Sequence, residues 1–342
     1  MPKTILQVNR LTKHFEGKKS LFGFRKHAPV RVVSDISFEL REGETFSIVG
    51  ESGCGKTTLG RCIVRGIDAT SGEVIYYPEQ GTKRDFLKLK GEEYNNYRKD
   101  IQMIFQDPYS SLSPRMSVFN IISEPLTADG KLSKAEVRER VAEIAEKTGL
   151  NVSYLERYPH AFSGGQRQRI AIARALASRP RLVVCDEAVS ALDVSIQAQI
   201  INLLKDLQEQ YKITYIFISH DLSVVEHISD RVAVMHLGKI VELAPANSIF
   251  ASPGHPYTEA LLSAVPLPDP NIRKERIILE GEVPNPAKPP SGCHFHPRCP
   301  YKTEKCVTDE PVVLEIADQH FVSCHYAGEL ALKGVNTYEK VD

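Results

Sequence analysis

From Ile5 to about Leu243 short β-rich apolar runs alternate with stretches of helical periodicity. The runs include Ile36–Leu40, Thr45–Val49, Ile101–Phe105, Leu182–Cys185, Thr214–Ser219 and Val232–Met235. Such alternation predicts an α/β domain built on a mostly parallel sheet. Between Asp107 and Ser178 no comparable apolar strand occurs. Good helix formers fill Lys134–Thr148 instead, with Val137, Val141, Ile144 and Ala145 on one helical face. Residues 107–178 are therefore expected to form a helical subdomain inserted into a sheet domain spanning 1–245.

The texture changes after Pro245. Of the 21 prolines, 13 lie between Pro245 and Pro311, and proline removes ladder donors and stops helices. The expectation is a proline-rich linker over 246–290, with one short helix at Pro256–Ala264 opened by proline. A small, irregular, cysteine-rich C-terminal domain over 291–342 is expected to follow. A second irregular stretch, 17–30, sets Lys18, Lys19, Arg25 and Lys26 around Leu21, Phe22 and Phe24. It reads either as a solvated loop or as a contact to lipid headgroups or a membrane partner.

Charge narrows the function. Lys plus Arg total 43 and Asp plus Glu total 43, for a formal net charge of zero, so no global positive field favours nucleic acid, and none is expected as a partner. The apolar runs fall far short of the roughly 20 residues of a membrane helix, and the N-terminus lacks an export pattern. These features predict a cytoplasmic chain with reduced cysteines, attached to any membrane through partners.

The chemistry starts at Gly50-Glu51-Ser52-Gly53-Cys54-Gly55-Lys56-Thr57, followed by Thr58. This segment leaves an apolar strand at Val49 and opens a helix-compatible run, the context a phosphate-binding loop requires. Its glycines let backbone N–H groups turn toward the β- and γ-phosphates of ATP. Lys56 is suited to the terminal phosphates, the Thr57 hydroxyl to Mg²⁺, and Cys54 to a backbone role only. Downstream, the apolar strand Leu182–Cys185 ends in Asp186 and Glu187. At a strand C-terminus, Asp186 is placed to hold Mg²⁺ and Glu187 to act as general base on the attacking water. Between these anchors, Ser163-Gly164-Gly165-Gln166 starts a helical run and offers a hydroxyl and free N–H groups to an anion.

Ser163–Gln166 resembles the signature sequence of ATP-binding-cassette (ABC) proteins, which closes over ATP held by the opposite subunit of a head-to-tail dimer. Phe162 stands where that family most often has Leu. Gln106 resembles the Q-loop glutamine that contacts Mg²⁺, the attacking water and the membrane subunit. Ser190-Ala191-Leu192-Asp193 resembles the D-loop, and His220 resembles the switch histidine at the γ-phosphate. By resemblance adenine stacking falls to Phe15. The implied fold is an ABC-type P-loop NTPase: a RecA-like parallel core, a helical subdomain and an antiparallel β subdomain.

Cys293, Cys299, Cys306 and Cys324 are separated by five, six and seventeen residues. Spacing alone leaves an iron–sulfur cluster, a zinc site with His294, His296 or His325, and unligated thiols all open. HPYTEALLSAVP and PPSGCHFHPRCP resemble the C-terminal extension of dipeptide and oligopeptide importer ATPases, where such cysteines hold a [4Fe-4S] cluster. DVSIQAQIINLLKDLQ and SHDLSVVEHISDRV resemble the second of the two nonidentical ATPases in those importers. The resemblance implies a sister ATPase, two transmembrane permeases, an external solute-binding protein acting indirectly, and residence on the cytoplasmic face of the membrane. An importer ATPase for nickel or another small solute, and a non-transport ABC ATPase, are the alternatives.

Overall fold

Five strands are apolar on both faces because both faces are covered. In the computed structural model, which describes residues 3–16, 29–128, 130–266, 276–282 and 284–335, every residue of Thr45–Val49 (β3), Leu182–Asp186 (β7), Thr214–Ser219 (β8) and Arg231–His236 (β9) is buried. With the edge strand Ile101–Ile104 (β6) they form a parallel core in the order β9-β3-β8-β7-β6. Alternate side chains feed two cores. Tyr215, Phe217, Val183 and Cys185 join the helical side, while Ile216, Ile218, Leu182 and Val184 join the other.

That other side is closed by an antiparallel sheet of Val30–Arg41 (β2), Thr4–Phe15 (β1), Ser71–Tyr76 (β4) and Arg84–Asp85 (β5), in that order. The expected strand at Ile36–Leu40 is thus the centre of a longer one. Residues 17–28, and with them most of the basic and aromatic stretch, lie outside the described residues. The inserted helical stretch contains Pro108–Ser111, Val118–Thr127, Lys134–Lys147 and Gly164–Leu176. Lys134–Lys147 opens with a capping box of Ser133 and Glu136 and buries the four apolar residues its periodicity singles out.

The tail departs from expectation. After Lys239–Pro245 (β10), which is antiparallel to β9, the strands Leu314–Ala317 (β11) and His320–Val322 (β12) add to the same sheet, giving eight strands in the order β11-β12-β10-β9-β3-β8-β7-β6. Phe295 and Val335 belong to the helical-side core. The cysteine-rich end is therefore an extension of the main sheet and not a separate irregular domain. Strands of four and three residues carry too little alternation to be read from pattern. Tertiary contacts decide them: buried Glu242 of β10 accepts from His320 Nε2 at 2.7 Å and from the amides of Gly254 and His255 at 2.6 and 3.0 Å. No helix among the described residues is long and apolar enough to cross a membrane.

Candidate active site

Parallel pairing brings the C-terminal ends of β3, β6, β7 and β8 to one edge of the sheet, with Val49 opposite Ser219 and Ile104 opposite Cys185. Each sequence anchor follows one of these ends. The loop after β3 turns through Gly50 and Gly55 at φ of 150° and 109°. A Cβ at Gly50 would overlap the Met235 carbonyl, and one at Gly55 the Val32 carbonyl, so both positions require glycine for room and for conformation. Lys56 opens helix Lys56–Ile63 and is buried. Its ammonium donates to the Gly50 and Glu51 carbonyls at 2.7 and 3.0 Å, with Cys54 Sγ at 3.9 Å. Ser52 and Gly53 are exposed, while Cys54 is buried and its thiol is pushed up by that burial.

Thr57 and Asp186 meet across the sheet. The Thr57 hydroxyl donates to Asp186 Oδ1 at 2.8 Å, while Asp186 Oδ2 is buried with no hydrogen-bond partner. Burial raises the Asp186 carboxyl above its ordinary value, against the opposing effect of the Thr57 hydrogen bond. A hydroxyl and an orphaned carboxylate oxygen side by side are the donor set a hard divalent cation takes, so these residues fit Mg²⁺. Thr58 is half-buried on the same helix.

A third group gathers beyond them. Glu187, at φ of 47°, is a left-handed non-glycine residue tied to β8 through its amide, which donates to the Ile218 carbonyl at 3.0 Å. Its Oε2 accepts from Gln106 Nε2 at 2.7 Å and lies 3.4 Å from His220 Nδ1. Residues 106, 187 and 220, far apart in sequence, thus converge on one carboxylate oxygen. The strained backbone at Glu187 is what aims it.

The remaining candidates stand apart. Ser163 caps helix Gly164–Leu176 in a box with Gln166: Ser163 N donates to Gln166 Oε1 at 3.0 Å and Gln166 N to Ser163 Oγ at 3.4 Å. Neither side chain bonds to the phosphate loop or to Glu187. Gly164 and Gly165 face Leu192 and Ile196, so the signature packs beside the Ser190–Asp193 turn. Asp193 starts helix Val194–Tyr211 without a side-chain cap bond, and Val194 is 83% exposed. Phe15 ends β1, 41% exposed, with the Lys13 ammonium 4.9 Å from its ring centre.

Two families match the chain: "ABC transporter" over residues 33–190, and "Oligopeptide/dipeptide transporter, C-terminal region" over 241–306. A probable peptide ABC transporter ATP-binding protein, y4tS of Sinorhizobium fredii, is 51% identical over 95% of this chain and 90% of its own length. The oligopeptide transport ATP-binding proteins AppF of Bacillus subtilis and OppF of Escherichia coli are 49% and 50% identical. They cover 94% of this chain and 97% and 96% of their own lengths. The chain belongs to the ATP-binding subunits of peptide ABC transporters. Among solved structures, the ATP-binding cassette MJ0796, in a dimeric post-hydrolysis state with ADP and Pi, superposes at a TM-score of 0.60. It is 28% identical and covers 71% of this chain and 99% of its own.

In this ATPase subunit the four tail cysteines are free thiols, and together they line one cavity with Phe295, Tyr301 and Leu330. Burial, with a further push from neighbouring thiols, raises Cys299 to about 12 and Cys324 to about 11. Among the described residues no group of three or more His, Cys, Asp or Glu is gathered closely enough to hold a metal ion.

Two site neighbours escape sequence reading. Tyr257 accepts at its hydroxyl from the Glu51 amide at 2.8 Å, and Arg298 holds the Glu51 carboxylate from the tail. Both lie more than 200 residues further along the chain than Glu51, in segments whose local signals point to a short helix and a cysteine cluster and not to the phosphate loop.

Proposed function

We propose that this subunit binds and hydrolyses ATP to drive import of dipeptides or oligopeptides across the cytoplasmic membrane, as a peripheral partner of two permeases and a sister ATPase. The observation that carries the catalytic part is the convergence of Gln106, Glu187 and His220 beside the Thr57–Asp186 pair. Backbone amides of the Gly50–Thr57 loop and Lys56 hold the β- and γ-phosphates. Thr57, Asp186 and Gln106 would hold Mg²⁺, whose contribution is to neutralise phosphate charge. Glu187 takes the proton of the attacking water; Gln106 orients Glu187 and that water; His220 steadies the γ-phosphate region. Catalysis then comes from positioning and fixed charge more than from covalent chemistry. Phe15, exposed at the end of its strand, stacks on adenine.

Ser163, Gly164, Gly165, Gln166 and Asp193 act on nucleotide held by the partner ATPase. The exposure of Ser163, Gln166 and Asp193, and the lack of side-chain bonds from Ser163 and Gln166 to this chain's own site, support that reading. A groove of about 730 Å³ between the parallel core and the helical subdomain, lined by Phe105, Gln102, Glu124 and Arg174, offers the permease a seat beside Gln106. The cargo follows from the names of the relatives, all of which concern peptides. We also propose that Cys293, Cys299, Cys306 and Cys324 hold a [4Fe-4S] cluster. Four cysteines on one cavity supply the Cys₄ donor set such a cluster takes.

Two measurements test the proposal. Uptake of a labelled dipeptide into cells, compared with cells carrying Lys56→Ala, should be lost together with the ATPase; uptake that persists would remove peptide import. Anaerobic purification should yield about four irons and four sulfides per chain for a cubane. Zinc alone, or no metal, would remove the cluster and leave the ATPase reading in place.

A further inference from the structure

The C-terminal extension reaches the phosphate loop through Tyr257 and through Arg298, of which only Arg298 brings charge. Arg298 sends two parallel N–H donors to Glu51, Nη1 to Oε2 at 2.7 Å and Nη2 to Oε1 at 3.1 Å. Glu51 is the second residue of the loop, and its amide is already held by the Tyr257 hydroxyl at 2.8 Å. The Arg298 side chain is 7% exposed and that of Glu51 26%, so this is a shielded, forked pair and not a surface contact. The platform beneath it is rigid. Arg298 closes the 3-10 turn His296–Arg298, directly after Phe295, whose ring packs 5.3, 5.4 and 5.7 Å from those of Tyr257, His236 and His255. His236 ends β9, next to the strand that launches the loop.

A carboxylate is an unexpected group in a loop that must hold phosphates, because it places a like charge within reach of the substrate. A planar guanidinium matches it in charge and in geometry, and fixes where its charge lies. We infer that Arg298 is a positioning residue for the phosphate loop: by neutralising and anchoring Glu51, it sets the affinity of that loop for the phosphates of a nucleoside triphosphate. The C-terminal extension is then part of the nucleotide site. This rests on the nucleotide-binding reading above and adds to it a residue from outside the cassette motifs.

The test is a double-mutant comparison in the full-length chain, with the cysteines intact. ATP affinity is titrated with a fluorescent, non-hydrolysable analogue, and KM, kcat and Tm are measured for wild type, Arg298→Gln and Arg298→Gln/Glu51→Gln. Arg298→Gln leaves an unpaired carboxylate at the loop and should weaken ATP binding and raise KM about tenfold, the scale of a charged hydrogen bond, with kcat at saturating ATP held within about twofold. Adding Glu51→Gln removes the charge and should restore most of the affinity. A purely structural arginine predicts the opposite, a double mutant as weak as or weaker than the single. That result, or unchanged affinity in Arg298→Gln, would overturn the inference. If Arg298→Gln does not fold, Arg298→Lys keeps the charge without the fork. A KM between wild type and tenfold sustains the inference, and a loss confined to kcat defeats it. Wild-type protein that binds no nucleotide would instead sink the functional reading itself.

Discussion

The two halves of the proposed nucleotide machinery are wired differently. Gln106 and His220 each reach Oε2 of Glu187, the residue that follows Asp186 of the Thr57–Asp186 pair. The side chains of Ser163 and Gln166 bond to each other's backbone amides, and Asp193 has no side-chain cap bond. A catalytic group must be oriented before substrate arrives, so its polar atoms are engaged inside the chain. A group that acts on another subunit's nucleotide keeps its surface for that partner. The difference is what the proposed arrangement, with one half-site in this chain and the other half-site supplied to a neighbour, requires.

The sharpest way to break this comparison is to remove the base. Glu187→Gln should lower steady-state ATP hydrolysis by about 10³-fold while ATP binding persists; phosphate release at the wild-type rate would end the assignment of Glu187. Next comes the signature. Ser163→Asp keeps a good helix cap but sets a negative charge where a partner's γ-phosphate would lie. Tm and ATP binding by the monomer should be unchanged, while hydrolysis and ATP-driven dimerisation fall about 10²-fold. Weakened ATP binding in the isolated monomer would place Ser163 in the chain's own site.

The Thr57–Asp186 pair makes a pH-dependent prediction. Burial raises the Asp186 carboxyl in the folded state, so the folded chain holds that proton more tightly than the unfolded one. Its contribution to stability is fully present below the unfolded carboxylate's value and is lost as pH rises through the raised folded value. Asp186→Asn should flatten that fall in the nucleotide-free protein and abolish Mg²⁺-dependent stabilisation, both read from Tm against pH with and without Mg²⁺. An unaltered Mg²⁺ response in the variant would contradict the cation site. The smallest effect uses two like caps, since Ser133 with Glu136 and Ser163 with Gln166 form the same box. Both serine-to-alanine variants should cost about 1 kcal/mol in denaturant unfolding, yet only Ser163→Ala should slow hydrolysis. Equal ATPase rates would reduce Ser163 to a helix cap.

Much of this was legible in the chain because it is local. An apolar run buried on both faces declares a central strand, and Thr45–Val49 and Thr214–Ser219 have the limits their pattern implies. Gly50–Thr57 and Asp186–Glu187 announce their chemistry because phosphate and metal sites need particular residue types at short, fixed spacing. The period of Lys134–Lys147 likewise specifies an amphipathic helix, and the structure adds the Ser133–Glu136 cap at its start.

The tail was not legible in this way. Proline content argued for an irregular domain, yet β11 and β12 extend the main sheet because Glu242, buried at 0% exposure, draws His320 and two amides onto it. Arg298 likewise gives no sign in its neighbourhood that its partner is Glu51, 247 positions earlier. Residue type and spacing along the chain singled out the candidate groups of the site, because those signals act over a few residues. Which of them meet, and which distant side chain pairs with Glu51, only the tertiary structure decided, since those pairings depend on how strands and turns far apart in sequence pack against one another.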